Sequence, residues 1–276
     1  MLPTVYLNGE YLDQQTARLH VSDLSILRGY GVFDYFRYAA GKPRFLTDHL
    51  TRFESSAAGL GLPVPLTPAE FSIVVHQLIE RNGGGEGGIR LVLTGGYADD
   101  GYTPRDPNLL GLPYAFQGPN EALYERGCSV LLHAYERQLP RVKSIDYIEG
   151  IRIQPLLRAE GADYPLYVDR HGNVRESDRS NFMIVRDGVL ITPVDDILLG
   201  ITRARLLDLA RELGIPVREA VVSVTDLLSA EEALICSSVK GLMPITKVNG
   251  NHIGGGAAGA ITSRLMQTWR EYHGSE

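Results

Sequence analysis

The sequence predicts an α+β architecture in two lobes. Strand-like and helix-like patterns mix along the chain without the strict alternation that builds a parallel sheet. Residues 111–125 interrupt the patterning with Gly, Pro, Asn and Gln and read as a link, with the linker proper at 116–125. At 276 residues the chain is long enough for two lobes with a core each, here 1–115 and 126–276.

The elements follow in order. Val5, Tyr6 and Leu7 precede Asn8-Gly9, and Tyr11-Leu12 follow, a strong hairpin signal. Residues 30–40 are aromatic and strand-like, and Gly41-Lys42-Pro43 turns the chain. Leu46, Leu50, Phe53 and Ala57 share one helical face over residues 45–60. Thr67-Pro68 caps a second helix over 68–81, the Gly-rich segment 82–88 ends it, and 89–94 is a β-branched strand. Beyond the link come a strand at 128–134, a helix over 145–160 and strands at 164–169, 181–185 and 189–191. A helix over 202–213, strands at 233–236 and 245–248, a second Asn-Gly hairpin at 249–250 and a terminal helix over 259–272 complete the chain.

Composition narrows the function. Net charge is −6, and no lysine- or arginine-rich block carries interleaved aromatics, which argues against a nucleic-acid partner. Cys128 and Cys236 lie far apart with no metal-type spacing, so they read as buried thiols in a reducing, cytoplasmic compartment. The seven histidines are scattered, and no metal site is expected. No apolar run reaches membrane-spanning length, and the N-terminus does not read as a signal peptide.

Five segments carry residue types suited to chemistry. The chain holds four lysines against twenty-three arginines, and Lys143 sits in the run Arg141-Val-Lys-Ser-Ile-Asp-Tyr147. Arginine keeps its proton, whereas lysine releases it when desolvated, so Lys143 is either a solvated strand-edge stem or a Schiff-base former. In Asp196-Ile-Leu-Leu-Gly-Ile-Thr-Arg203 a glycine and a hydroxyl residue open a helix, either a plain cap or an anion site on first-turn N–H groups. The loop Cys236-Ser-Ser-Val-Lys-Gly241 follows a strand and is either a turn or a complement to that cradle. Arg52 sits at the edge of a helix's apolar face, as a solvated neighbour or a bidentate phosphate ligand. Glu176 enters a polar loop after a strand, as an ordinary acid or the partner of a heterocyclic nitrogen.

Taken in order, Gly31-Val-Phe-Asp34, His49-Leu-Thr-Arg52, Val142-Lys-Ser144, Glu176-Ser-x-x-Ser-Asn181, Gly200-Ile-Thr-Arg203 and Ser237-Ser238 resemble the class IV (fold type IV) pyridoxal-phosphate enzymes. That family includes D-amino acid and branched-chain aminotransferases, amine transaminases and aminodeoxychorismate lyases. The resemblance implies a smaller N-terminal α/β lobe and a larger C-terminal, β-barrel-like lobe that carries the lysine. It implies pyridoxal 5'-phosphate on Lys143, with Glu176 at the pyridine nitrogen. Arg52, the N–H groups of Ile201 and Thr202, and hydroxyls of Thr202, Ser237 and Ser238 would hold the phosphate, with Tyr147 near the ring hydroxyl. It also implies a homodimer acting on amino and 2-oxo acids.

The subgroup is less defined. Asp34 matches the acidic position of aminotransferases, where lyases typically carry threonine. Gly88 stands where branched-chain enzymes have tyrosine, although Arg90 matches theirs. Phe33 replaces the substrate-facing tyrosine of D-amino acid aminotransferases, and their Arg-x-His pair is missing from 94–102. The Arg28-Gly-Tyr-Gly-Val-Phe stretch looks most like a bacterial group that includes D-amino acid enzymes. Arg28, Arg90 and Lys240 are the candidate cations for the substrate carboxylate. The expected activity is transamination of a D-amino acid with 2-oxoglutarate or pyruvate. The alternatives are a branched-chain L-amino acid aminotransferase, an (R)-amine transaminase or an aminodeoxychorismate lyase.

Overall fold

Asn8 and Gly9 both adopt positive φ, 47° and 98°, the backbone that lets a two-residue turn follow the twist of its strands. They join β1 (Thr4–Leu7) to β2 (Glu10–Asp13). The structure, a computed structural model, describes residues 1–274. The chain divides into two compact units, Met1–Gln117 with Val142–Asp146, and Gly118–Arg141 with Tyr147–Glu276.

Unit 1 continues with α1 (Leu24–Arg28), β3 (Gly31–Ala39), β4 (Lys42–Pro43), α2 (Leu46–Gly59), α3 (Pro68–Arg81), β5 (Gly87–Thr94) and β6 (Leu109–Ala115). Its sheet runs β2-β1-β6-β5-β3-β4 with every neighbouring pair antiparallel. Thr67 caps α3 as the Thr-Pro step suggested, and Glu70 completes a capping box with it. Alternation along β3 sends Val32, Phe36 and Tyr38 into one core with Phe53 of α2 and Phe71 and Leu78 of α3. Phe33 and Tyr35 point to the other face.

Two expectations change here. Residues 111–115 belong to β6, not to a link, and Pro113 sits inside that strand. The Pro113 carbonyl accepts from the Leu2 N–H at 2.8 Å, so its nitrogen also faces that side and leaves the ladder to β5 intact. The segment Val142–Asp146 belongs with unit 1, whereas the lysine was expected in the C-terminal lobe. The reason is main-chain pairing: the Phe33 N–H donates to the Lys143 carbonyl at 2.9 Å, and the Ile145 N–H to Gly31 at 3.0 Å. This pairing also removes 145–147 from the expected 145–160 helix.

Unit 2 comprises α4 (Ala122–Arg126), β7 (Cys128–Ala134), α5 (Ile148–Arg152), α6 (Gln154–Ala159), β8 (Tyr164–Val168), β9 (Asn181–Arg186) and β10 (Val189–Thr192). It continues with α7 (Ile201–Glu212), β11 (Val217–Glu219), α8 (Val224–Leu228), β12 (Glu232–Ser237), β13 (Gly241–Val248), β14 (Asn251–His252) and α9 (Ala260–Gly274). Pro155 separates α5 from α6 because it has no N–H for the Ile151 carbonyl. The sheet runs β11-β10-β9-β12-β13-β7-β8, with β14 on β13. Residues 173–176 bring its ends together: Arg175 donates to Tyr167 of β8 at 2.9 Å, and Val174 to Val222, just after β11, at 2.7 Å. The path therefore curls back on itself around Phe182, Ile184, Ile235 and Met243. The short β11 and α8 carry too few residues for a periodic signal.

One carboxylate interrupts the apolar row of β3. Asp34 is fully buried between the sheet and α2. Arg52 of α2 grips it with two bonds of 2.8 Å, Nε to Oδ2 and Nη2 to Oδ1, and the His49 Nδ1 lies 2.7 Å from Oδ1. Burial opposes ionisation of Asp34, but the Arg52 charge and the hydrogen bonds from Arg52 and His49 outweigh it and hold the carboxyl well below its ordinary range. Burial pushes His49 the other way, toward the neutral imidazole, against the pull of Asp34. His49 therefore acts as a neutral donor through Nδ1–H. Replacing Asp34 by Asn leaves the Arg52 charge without its partner and should destabilise unit 1 by about 3 kcal/mol at neutral pH. The folded pKa is depressed, so this stability is full above the unfolded value near 4 and is lost as pH falls below it. Denaturant melts from pH 3 to 7 should show the gap between wild type and Asp34→Asn narrowing toward the acid end.

Candidate active site

In unit 1 the geometry gathers around Lys143. Its backbone N–H donates to the Ser56 hydroxyl of α2 at 3.1 Å, and its carbonyl is taken by Phe33. The lysine is thus held at both backbone polar groups, between a helix and a strand. Its Nζ stands 4.6 Å from the centre of the Phe33 ring, and the Arg90 guanidinium stands 5.2 Å from the same ring. Arg90 and Tyr35 are cross-strand partners on this face, and Tyr114 lies 5.7 Å from the guanidinium. Gly88 is required here: a Cβ would come within 2.0 Å of the Tyr35 hydroxyl oxygen, so the tyrosine occupies the space that a side chain at 88 would fill. Arg52 commits one edge of its guanidinium to Asp34, while Nη1 has no hydrogen-bond partner among the described residues. Arg28 ends α1 on the surface and donates to the Leu27 carbonyl at 2.9 Å.

In unit 2 three loops meet at one end of the sheet. The first leads from Glu176 to Asn181, the second from Leu198 into α7, and the third from Ser237 to Lys240. Glu176 is buried and accepts two hydrogen bonds of 3.0 Å, Oε1 from Arg137 and Oε2 from the Leu198 N–H. Asn181 opens β9 opposite Cys236 of β12 and donates to the Leu198 carbonyl at 2.7 Å. Gly200 caps α7 without a side-chain hydrogen bond, and among the described residues no side chain bonds the first-turn N–H groups of Ile201 and Thr202. A Cβ on Gly200 would lie 1.9 Å from the Asn181 Oδ1, so only glycine lets these loops approach. Thr202 is buried at this helix start, and Ser238 makes no hydrogen bond among the described residues. Tyr147 lies close enough to Glu176 and Arg137 to feel both charges; burial pushes its phenol up, and Arg137 pulls it back.

The candidates thus fall into two sets, Lys143, Phe33, Arg90 and Arg52 in unit 1, and Tyr147, Glu176, Ile201, Thr202, Ser237 and Ser238 in unit 2. Ser237 turns its hydroxyl to the Lys240 N–H at 3.2 Å. Lys240, a candidate cation for the substrate carboxylate, is 7% exposed and its Nζ donates to the Ser180 hydroxyl at 3.0 Å, inside unit 2. Arg203, beside the α7 cradle, is structural and bonds the Pro193 carbonyl and Glu219, each at 2.8 Å. Arg137, Ser56 and Ser180 were not anticipated, since each acts on a residue 39 to 87 positions away and leaves no local pattern. Among the described residues no group of three or more His, Cys, Asp or Glu side chains gathers as for a metal, and no helix is long and apolar enough to cross a membrane.

The residues fit pyridoxal phosphate. An uncapped helix start with adjoining hydroxyls suits a phosphate, and a buried, doubly bonded carboxylate suits a pyridinium. The comparisons with known proteins agree. The family model for amino-transferase class IV matches residues 31–248. A Methanocaldococcus jannaschii protein, provisionally named a branched-chain-amino-acid aminotransferase, is 31% identical over 274 residues, covering 97% of this chain and 95% of its own length. The D-alanine aminotransferase of Staphylococcus epidermidis is 30% identical over 275 residues, covering 97% of each chain. The crystal structure of the Escherichia coli branched-chain amino acid aminotransferase superposes with a TM-score of 0.92 at 25% identity, over 98% of this chain and 94% of that one. The chain belongs to the class IV aminotransferases, enzymes that work with pyridoxal 5'-phosphate.

Proposed function

We propose that the chain moves an amino group between a D-amino acid and a 2-oxo acid such as 2-oxoglutarate or pyruvate. The observation that carries the amino-transfer chemistry is the placement of Lys143, a lysine fixed through its main chain with its Nζ against an aromatic ring. When bound, the cofactor supplies an aldehyde that condenses with amines and a ring that accepts the electron pair left by the departing α-proton. Lys143 is the amine that holds it, and once displaced by the substrate amine its Nζ takes up and returns that proton. Glu176 presents a carboxylate to the pyridine nitrogen and keeps a proton there. Arg137 and the Leu198 N–H fix that carboxylate's direction. The Arg52 Nη1, the Ile201 and Thr202 N–H groups and the hydroxyls of Thr202, Ser237 and Ser238 bind the phosphate. Tyr147 serves the ring hydroxyl.

The substrate assignment rests on the face around Phe33. Tyr35, Arg90 and Tyr114 make it cationic and phenolic, which suits a carboxylate better than a branched aliphatic chain. Arg90 and Arg28 are the cations for that carboxylate. The D-alanine aminotransferase relatives support the D-configuration, and a branched-chain L-amino acid activity is the second reading, favoured by the Methanocaldococcus relative. The same proposal places the chain in the cytoplasm as a homodimer. Ile148 and Ile151, one turn apart on α5 and 73% and 70% exposed, support a covered face there.

Three measurements check these statements. Purified protein supplied with pyridoxal phosphate should gain a visible absorbance band that borohydride fixes covalently on Lys143, and Lys143→Ala should retain no fixed label. A wild-type chain that stays colourless would sink the cofactor chemistry. In coupled assays with 2-oxoglutarate, D-alanine and D-glutamate should exceed L-leucine and an (R)-amine as donors by at least about tenfold in kcat/KM, about 1.4 kcal/mol in transition-state binding. Turnover confined to L-leucine overturns the D-assignment. Light scattering should give twice the 30.4 kDa chain mass, and the chain mass itself would refute the dimer.

A further inference from the structure

Lys240 is a buried lysine that the proposed chemistry leaves unused. Burying an ammonium is costly, and a lysine kept in such a place needs a reason. Its contacts supply one. The backbone N–H of Lys240 donates to the Ser237 hydroxyl at 3.2 Å, its carbonyl accepts from the Tyr124 hydroxyl at 2.7 Å, and its Nζ reaches the Ser180 hydroxyl at 3.0 Å. The aliphatic stem brings Nζ to 4.4 Å from the centre of the Tyr164 ring. Ser180 closes the neighbouring loop, since its carbonyl accepts from the Ser177 N–H at 2.8 Å. The next residue, Asn181, holds Leu198, whose N–H in turn holds Glu176.

We propose that Lys240 is a positioning residue that ties the Ser237–Lys240 loop to the Glu176–Asn181 loop and so sets how tightly the cofactor is held. The inference rests on the function proposed above, because it gives both loops a common ligand. Without the tie, the hydroxyls of Ser237 and Ser238 and the carboxylate of Glu176 sit on loops joined through the β12–β9 pairing. With it, the position of one loop fixes the other across 60 residues of sequence.

The setting of the ammonium is consistent with this role. Burial brings Lys240 down to about 8, with Asp178 pulling it up and Arg179 pushing it down. The other groups facing it are the Cys128 and Cys236 thiols and the Tyr164 ring, on β7, β12 and β8, with the Tyr124 phenol of α4 on its carbonyl. A folded value below the unfolded one means that the folded state binds fewer protons between about 8 and 10.5, so the cost of burial is full below 8 and is relieved as pH rises through that window. Lys240→Met should therefore melt at or above the wild-type temperature at pH 7, and its advantage should shrink between pH 8 and 10.5.

Cofactor binding should move in the opposite sense. Titration of the cofactor-free full chain with pyridoxal phosphate should show affinity about tenfold weaker for Lys240→Met and for Ser180→Ala. The double variant should be no weaker than either single, since both remove the same bond. Hydrogen exchange of the cofactor-free chain should show faster exchange over 177–181 in Lys240→Met, although the substitution lies in the other loop. Wild-type affinity in Lys240→Met, additive losses in the double variant, unchanged exchange over 177–181, or an affinity loss matched by a lower melting temperature each overturn the proposal. If the wild-type chain itself takes up no pyridoxal phosphate, the functional proposal and the affinity effect fall together, and the exchange result still decides whether the tie exists.

Discussion

Asp34 sits in the wrong row of β3 for a carboxylate. Strand alternation turns it toward the helices, where Val32, Phe36 and Tyr38 are at home. The carboxylate is out of reach of solvent, so the Arg52 guanidinium must come to it, and α2 must dock in a rotation that allows two parallel N–H···O bonds. That rotation also points Ser56, one turn further along α2, at the backbone of Lys143. A single buried charge thus sets the register between helix and strand, and the register delivers the lysine. A purely apolar residue at 34 would pack as well but would leave the rotation of α2 less defined.

Unit 2 reaches a comparable result by different means. Its loops carry no shared backbone ladder at the end where they meet. They are held by polar side chains acting on main-chain groups: Glu176 on Leu198 N–H, Asn181 on the Leu198 carbonyl, Tyr124 on the Lys240 carbonyl. Each bond removes freedom from the loops around the start of α7 and Ser238. Ordering is therefore built in before any ligand arrives, which lowers the entropy lost on binding.

Much of this was legible in the chain. The Asn-Gly hairpins, the Thr67 cap and the apolar stripe of α2 are local signals, and the structure follows them. The ordered motifs singled out Lys143, Glu176 and the start of α7 as candidates, because each depends on a short run of residues. What stayed hidden depends on distance along the chain. Gly111–Ala115 looked like linker because Pro113 and Gly111 break strand propensity, yet the proline's missing N–H points away from β5. The lysine segment looked like part of the second lobe because it follows β7, and only its pairing with β3 moves it. Lys240 was a candidate substrate cation because it neighbours a segment expected to face the pocket; its burial follows from Ser180 and Tyr164, which no spacing rule connects to it.

The Gly88–Tyr35 contact carries a lesson for anyone reshaping this enzyme. The tyrosine ring lies in volume that belongs, by strand position, to its neighbour. The wall beside Arg90 is therefore on loan from β3 to β5. Introducing a bulky residue at 88 alone would evict Tyr35, and shrinking Tyr35 alone would open a void beside the guanidinium. The two positions form one unit of variation, and a change in the shape of this wall passes through paired exchange and not through single steps.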